Sequence, residues 1–143
     1  MTARAGSAGQ FCGCVLLYLF AVASCGLPIR NQQIAGRYRL ETTDVDEDTC
    51  LMWDWSDGSG PCVVAPTVFA IGFDDKYIVA KSHPENSRQN TAYWYIVRDV
   101  KSENRPEGVF RAKVKGPFSG KQYASLNAQL RLPEFTTVLS GLQ

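Results

Sequence analysis

The chain has 143 residues, 45% of them hydrophobic and 20% charged, with a formal net charge of +1. That length and apolar content support one domain with its own core and exclude a disordered, collagen-like or multi-domain chain. Near-neutral charge removes the electrostatic case for binding nucleic acid or an anionic membrane as a whole surface.

The N-terminus has the three parts of an export signal. Arg4 supplies a positive charge, Val15 to Ala23 is an apolar run, and the small residues Ala23 and Ser24 precede Cys25. The run is shorter than the roughly 20 apolar residues of a membrane-spanning helix. Val22-Ala23-Ser24-Cys25 resembles the bacterial lipobox. That resemblance implies cleavage before Cys25 and acylation, palmitate included, of its thiol and new N-terminus. Two or more chains anchor stably where one does not. Gly26 is not the Asp that retains many such lipoproteins at an inner membrane, which favours an outer membrane where one exists. The expected organisation is a signal peptide over 1–24, an anchor and tether over 25–35, and one β-rich domain over 36–143.

Export also fixes the reading of the cysteines. Cys12 and Cys14 leave with the signal and Cys25 takes the lipid, so Cys50 and Cys62 remain as a disulfide pair. Closing a loop of that length stabilises by about 3 kcal/mol on the chain-entropy argument.

Along the domain, Arg37 to Glu41 alternates as a strand. Thr49–Trp55 and Cys62–Phe73 read as the arms of a hairpin with a Gly-rich tip, Pro61 and Pro66 limiting the second arm to an edge or an interruption. Lys76–Lys81 and Thr91–Arg98 are strands. His83 to Asn90 and Lys101 to Gly108 are polar loops. Phe110 to Lys115 alternates apolar with basic, as a strand with one wet face does. Ser119 with Gln122 makes a capping box, Phe118 and Tyr123 staple the start, and Tyr123, Leu126 and Leu130 repeat at helical spacing before Pro133. The expected fold class is α+β, a mainly antiparallel sheet covered by one C-terminal helix.

The order Val68 to Lys81 with Asp74-Asp75-Lys76-Tyr77-Ile78-Val79-Ala80-Lys81 inside it, then Tyr93-Trp94-Tyr95-Ile96-Val97, then Gly116-Pro117 and a short helix, is similar to small bacterial lipoproteins of the domain-of-unknown-function 3997 group. The resemblance covers residues 68–132. The segment around Lys101–Glu107 and the Cys50–Cys62 hairpin depart from it. It implies a fold and an address, and no activity.

Chemical sites are scarce. His83 is the single histidine, in a turn where an exposed, idle role is expected; that excludes a two-histidine zinc site, and thiols expected to be oxidised or acylated exclude a Cys-His nucleophile. No Gly-x-Ser-x-Gly elbow exists for a serine triad. Asp44, Asp46 and Asp48 imitate a calcium loop, but Thr49 stands where Gly is needed and Trp55 where Glu is needed. No catalytic residue, metal site or cofactor is expected, and the chain is read as a non-enzyme.

Aromatic residues are the remaining candidates. Trp53 and Trp55, on one face of their strand, with Asp54 and Asp57 beside them, form a candidate surface for a protein partner, and a basic one fits the acidic rim. Nine acidic and no basic residues lie between Glu41 and Asp75, against nine basic and four acidic between Lys76 and Lys115. The function read from the sequence is an envelope lipoprotein that binds a protein or ligand at a membrane surface. Its alternatives are an inhibitor or immunity-type lipoprotein against a hydrolase or toxin, and a structural or assembly role.

Overall fold

Two antiparallel sheets packed face to face, rather than one, carry the domain in a computed structural model that describes residues 31–55, 57–84, 87–105, 110 and 113–143. The signal segment and Cys25 lie outside the described residues. Sheet A holds β1 (Asn31–Ala35), β2 (Tyr38–Glu41), β3 (Cys50–Trp53) and β4 (Cys62–Val64), in that order. Sheet B runs from β5 (Val68–Phe73), β6 (Tyr77–Ser82), β7 (Ala92–Val97), β8 (Lys113–Phe118) and β9 (Thr137–Val138), in the spatial order β8-β7-β6-β5-β9. Helix α1 (Val100–Glu103) follows β7, and α2 (Gly120–Leu130) follows β8. The α+β, mainly antiparallel class therefore holds.

Differences from the sequence reading have local causes. Asn31–Ala35, expected as the end of the tether, pairs with β2 as an edge strand; its polar start is exposed and Ile34 and Ala35 are buried. The expected hairpin arm Cys62–Phe73 breaks near Pro66: β4 closes sheet A and β5 opens sheet B. Proline cannot donate to a ladder, so the break is where the chain can change sheets. The charged stretch after Arg98 starts as α1, with the Asp99 side chain capping Ser102 N–H.

Alternation decides the layers. Tyr38, Leu40, Leu51, Trp53 and Val64 of sheet A meet Val68, Ile71, Ile78, Ala80 and Ile96 of sheet B in the main core. The opposite face of sheet B carries Val79, covered by Tyr123 of α2 and by Leu132, with Tyr93, Tyr95 and Phe118 around them. The Ser119–Gln122 capping box forms with both halves in place. Arg131 ends α2 in the left-handed conformation, two residues before Pro133.

One buried ion pair, in the segment after β7, sits at a corner where the sheets meet. The Glu103 side chain is 1% exposed and accepts from Arg98 Nε at 3.1 Å and Nη2 at 2.6 Å. These hydrogen bonds raise the Arg98 pKa further above its already high value. Arg37, in the β1–β2 turn, donates Nε to the Glu103 carbonyl at 3.0 Å. Gly36 sits against the same carboxylate at φ +54°, and a Cβ there would overlap Glu103. Burial, then the Glu103 charge, pushes the nearby Tyr38 hydroxyl far up.

Removing one partner of a buried pair strands the other's charge. Glu103→Ala should therefore cost about 3–5 kcal/mol in urea unfolding. Glu47→Ala, which breaks the half-exposed Arg88–Glu47 pair, should cost less than about 1 kcal/mol. Equal losses would refute the anchoring role of Glu103.

Candidate functional site

The hairpin tip follows from where β3 stops. The strand ends at Trp53, so Trp53 and Trp55 do not share a face as expected. Trp53 is 1% exposed, edge-on to Tyr38 at 5.1 Å and to Phe110 at 5.3 Å between ring centres. It is a core residue, and its place in the candidate partner surface is corrected accordingly. Trp55 is 48% exposed.

Between them the backbone turns tightly. Trp55 N–H donates to the Ser59 carbonyl at 2.7 Å, and Gly58 N–H to the Trp55 carbonyl at 2.9 Å. Gly60, at φ +156°, lies so close to the Trp53 carbonyl that a Cβ would collide with it. Cys50 and Cys62, Cα atoms 5.8 Å apart, form the expected disulfide at the base. The tip is thus held by the disulfide and by Asp54 N–H donating to the Arg37 carbonyl at 2.7 Å.

The acidic rim is committed internally. Asp57 accepts from Ser59 N–H at 2.9 Å and Ser59 Oγ at 2.7 Å, which holds its carboxyl below the usual range while it stays exposed. Asp54 faces Arg39 at 3.4 Å, and Arg39 also meets Glu41 at 2.7 Å and the Gly58 carbonyl. A partner at the tip therefore meets the Trp55 ring and the Asp57 charge, with Asp54 largely offset.

His83 also departs from expectation: it is 3% exposed. Its backbone pairs with Thr67 in both directions, at 2.8 and 3.0 Å, and its ring packs on Phe69 at 4.8 Å. Nε2 lies 2.6 Å from the Leu142 carbonyl, so that nitrogen carries the proton. Burial, then the charge of Arg88, lowers its pKa. The turn composition Ser-His-Pro gave no sign of this, because the covering segment lies 59 residues away in sequence.

The acidic run forms a 3-10 turn over Asp46–Asp48, with Thr49 buried beneath it. Among the described residues, no group of three or more His, Cys, Asp or Glu side chains could hold a metal ion.

The model of one protein family, described as a protein of unknown function (DUF3997), matches residues 36–138. The match spans the disulfide hairpin and the segment around Lys101–Glu107 as well as the strands from Val68 onward, so it is wider than the resemblance read from the sequence. No curated protein and no solved structure matches the chain.

Truncating a buried tryptophan removes packing that an exposed one does not make. Trp53→Ala should destabilise by about 3–5 kcal/mol, and Trp55→Ala should stay within about 0.5 kcal/mol of wild type. Chemical unfolding measures both, and a large loss for Trp55→Ala would contradict an exposed tip.

The unfolded chain takes up a proton at His83 near the ordinary histidine value of 6.5, and the folded one resists it. Stability is then complete above pH 6.5 and declines as pH falls below it. With one histidine in the chain, its ring-proton NMR signal is unambiguous. Its midpoint should lie below 6.5, and a midpoint at or above that value would refute the burial argument.

Proposed function

Because the chain belongs to the DUF3997 family, whose description carries no activity, we propose from its own residues that it is an envelope lipoprotein. It is anchored through Cys25, on the outer membrane where one exists, and acts as a non-enzymatic binding module for a protein or ligand. Trp55 on the braced tip is its contact.

One observation carries this reading: the start of β1 and the hairpin tip lie at opposite ends of sheet A. β1 begins at Asn31, six residues after Cys25, a span of at most about 20 Å when extended. Asn31 pairs with Glu41, and Glu41 with Cys50, so these positions and the acidic loop between them occupy one end of sheet A. The β1–β2 turn and the hairpin tip occupy the other end, joined by the Asp54–Arg37 backbone bond. A lipid on Cys25 therefore holds the acidic loop toward the bilayer and aims Trp55 away from it. An aromatic ring on a constrained turn loses little freedom on binding. The core position of Trp53 and the offset of Asp54 by Arg39 narrow the contact to Trp55 and Asp57.

Cys25→Ser should abolish palmitate incorporation during growth, and label persisting in that protein would overturn the anchor. The immobilised full chain should capture a partner from envelope extract. Trp55→Ala should lose that partner by at least about tenfold while its melting temperature is unchanged. A folded Trp55→Ala protein that captures the same partner equally well would remove the tip from the function.

A further inference from the structure

A pocket of about 300 Å³ opens beside His83 at the end of β6. Lys81, His83, Arg88, Thr91, Tyr93 and Gln143 supply its polar lining. A neighbouring hollow of about 310 Å³ shares His83 and Arg88 and continues toward Thr67 and Glu47. Among the described residues, no carboxylate side chain lines the first hollow.

Its two cations come from different elements and are under-compensated. The Lys81 ammonium lies 4.4 Å from the centre of the Phe135 ring and 5.4 Å from that of Tyr93. Ring faces orient an ammonium without neutralising it. Among the described residues, Lys81 has no acidic partner. Arg88 directs Nη2 to Glu47 at 3.0 Å, with both side chains about half exposed. Among the described residues, that contact takes one of the five guanidinium N–H donors.

We propose that this pocket binds a phosphate group, with Lys81 as a point charge and Arg88 as a donor fork. A tetrahedral dianion has enough acceptor oxygens to meet both cations and the Thr91 hydroxyl together, which a single carboxylate does not. Overall charge balance gives no hint of such a site, because it depends on which cations converge. The pocket also has a definite place in the fold. Thr67 Oγ1 donates to the Glu47 carbonyl at 2.6 Å, and Val68 N–H to the Thr49 carbonyl at 2.7 Å. These bonds tie the His83 corner to the end of sheet A at which β1 begins. Two sources then share the chemistry: free inorganic phosphate, and the headgroup phosphate of a bilayer at that end. The second rests on the anchor at Cys25, and the first does not.

The test titrates the full chain with inorganic phosphate against potassium chloride of matched ionic strength. Phosphate should raise the melting temperature saturably. Lys81→Gln with Arg88→Gln should weaken the apparent affinity by at least about tenfold. Lys113→Gln with Lys115→Gln removes the same charge from exposed positions of β8 and should leave it unchanged. Equal responses in the two double variants, or a chloride response matching that of phosphate, would overturn the site. Arg88→Gln alone, at a half-exposed position, decides the matter if the first double variant does not fold. In a Cys25→Ser background, phosphatidylcholine vesicles with and without phosphatidic acid distinguish the sources. Phosphatidic-acid-dependent binding that needs Lys81 and Arg88 assigns the headgroup. A phosphate response without such binding assigns the free anion, and no response to either refutes the proposal.

Discussion

The contact between Glu103 and Arg98 is the constraint that shapes the corner onto which Arg37 ties sheet A. A carboxylate taken out of water is costly unless its oxygens are satisfied, and both Glu103 oxygens take a hydrogen bond from one guanidinium. The pair then dictates its surroundings. Only a residue without a Cβ fits at position 36, and Arg37 is drawn onto the Glu103 and Arg105 carbonyls. Arg37 also donates to the Asp54 carbonyl at 3.2 Å, so the turn that opens sheet A and the tip that closes its hairpin lean on one corner of sheet B. The hydrophobic core between the sheets is non-directional. This polar corner supplies the direction.

What could be read from the sequence was whatever depends on near neighbours. The capping box at Ser119 is a four-residue pattern, and it forms. Strand alternation placed β2, β6 and β7 within a residue or two, and the same alternation turns Trp94 away from Tyr93 and Tyr95. Trp94 packs on the inner core and donates Nε1 to Ser82 at 2.8 Å, whereas both tyrosines lie on the helix side. The Cys50–Cys62 bridge followed from export chemistry and spacing.

What could not be read depends on distant partners. β1 has the composition of a linker and becomes a strand because β2 offers it an edge. Nothing local distinguishes Trp53 from Trp55; the strand end between them decides which is covered. Glu103 sits in a charged run that reads as solvated, and only Arg98 and the approach of Gly36 bury it. His83 is enclosed by the last turn of the described chain, where Leu142 is itself buried. The pocket beside it joins residues of the sheet-B strands β5, β6, β7 and β9 with Arg88 of a loop and Gln143, a juxtaposition with no counterpart in sequence spacing.

The strands that end each sheet have a consequence of their own. An open ladder is a template for another chain. Here β1 starts with Asn31, Gln32 and Gln33 exposed, β4 has three residues and β9 two. The remaining edge, β8, presents Lys113 and Lys115 and contains Pro117, which has no N–H to offer. Short, charged or proline-bearing edges disfavour accretion of strands from neighbouring copies. The same edges leave an extended peptide little to zip onto. A partner of this domain would then have to be met by side-chain surfaces, with specificity in a few rings and charges rather than in a shared backbone.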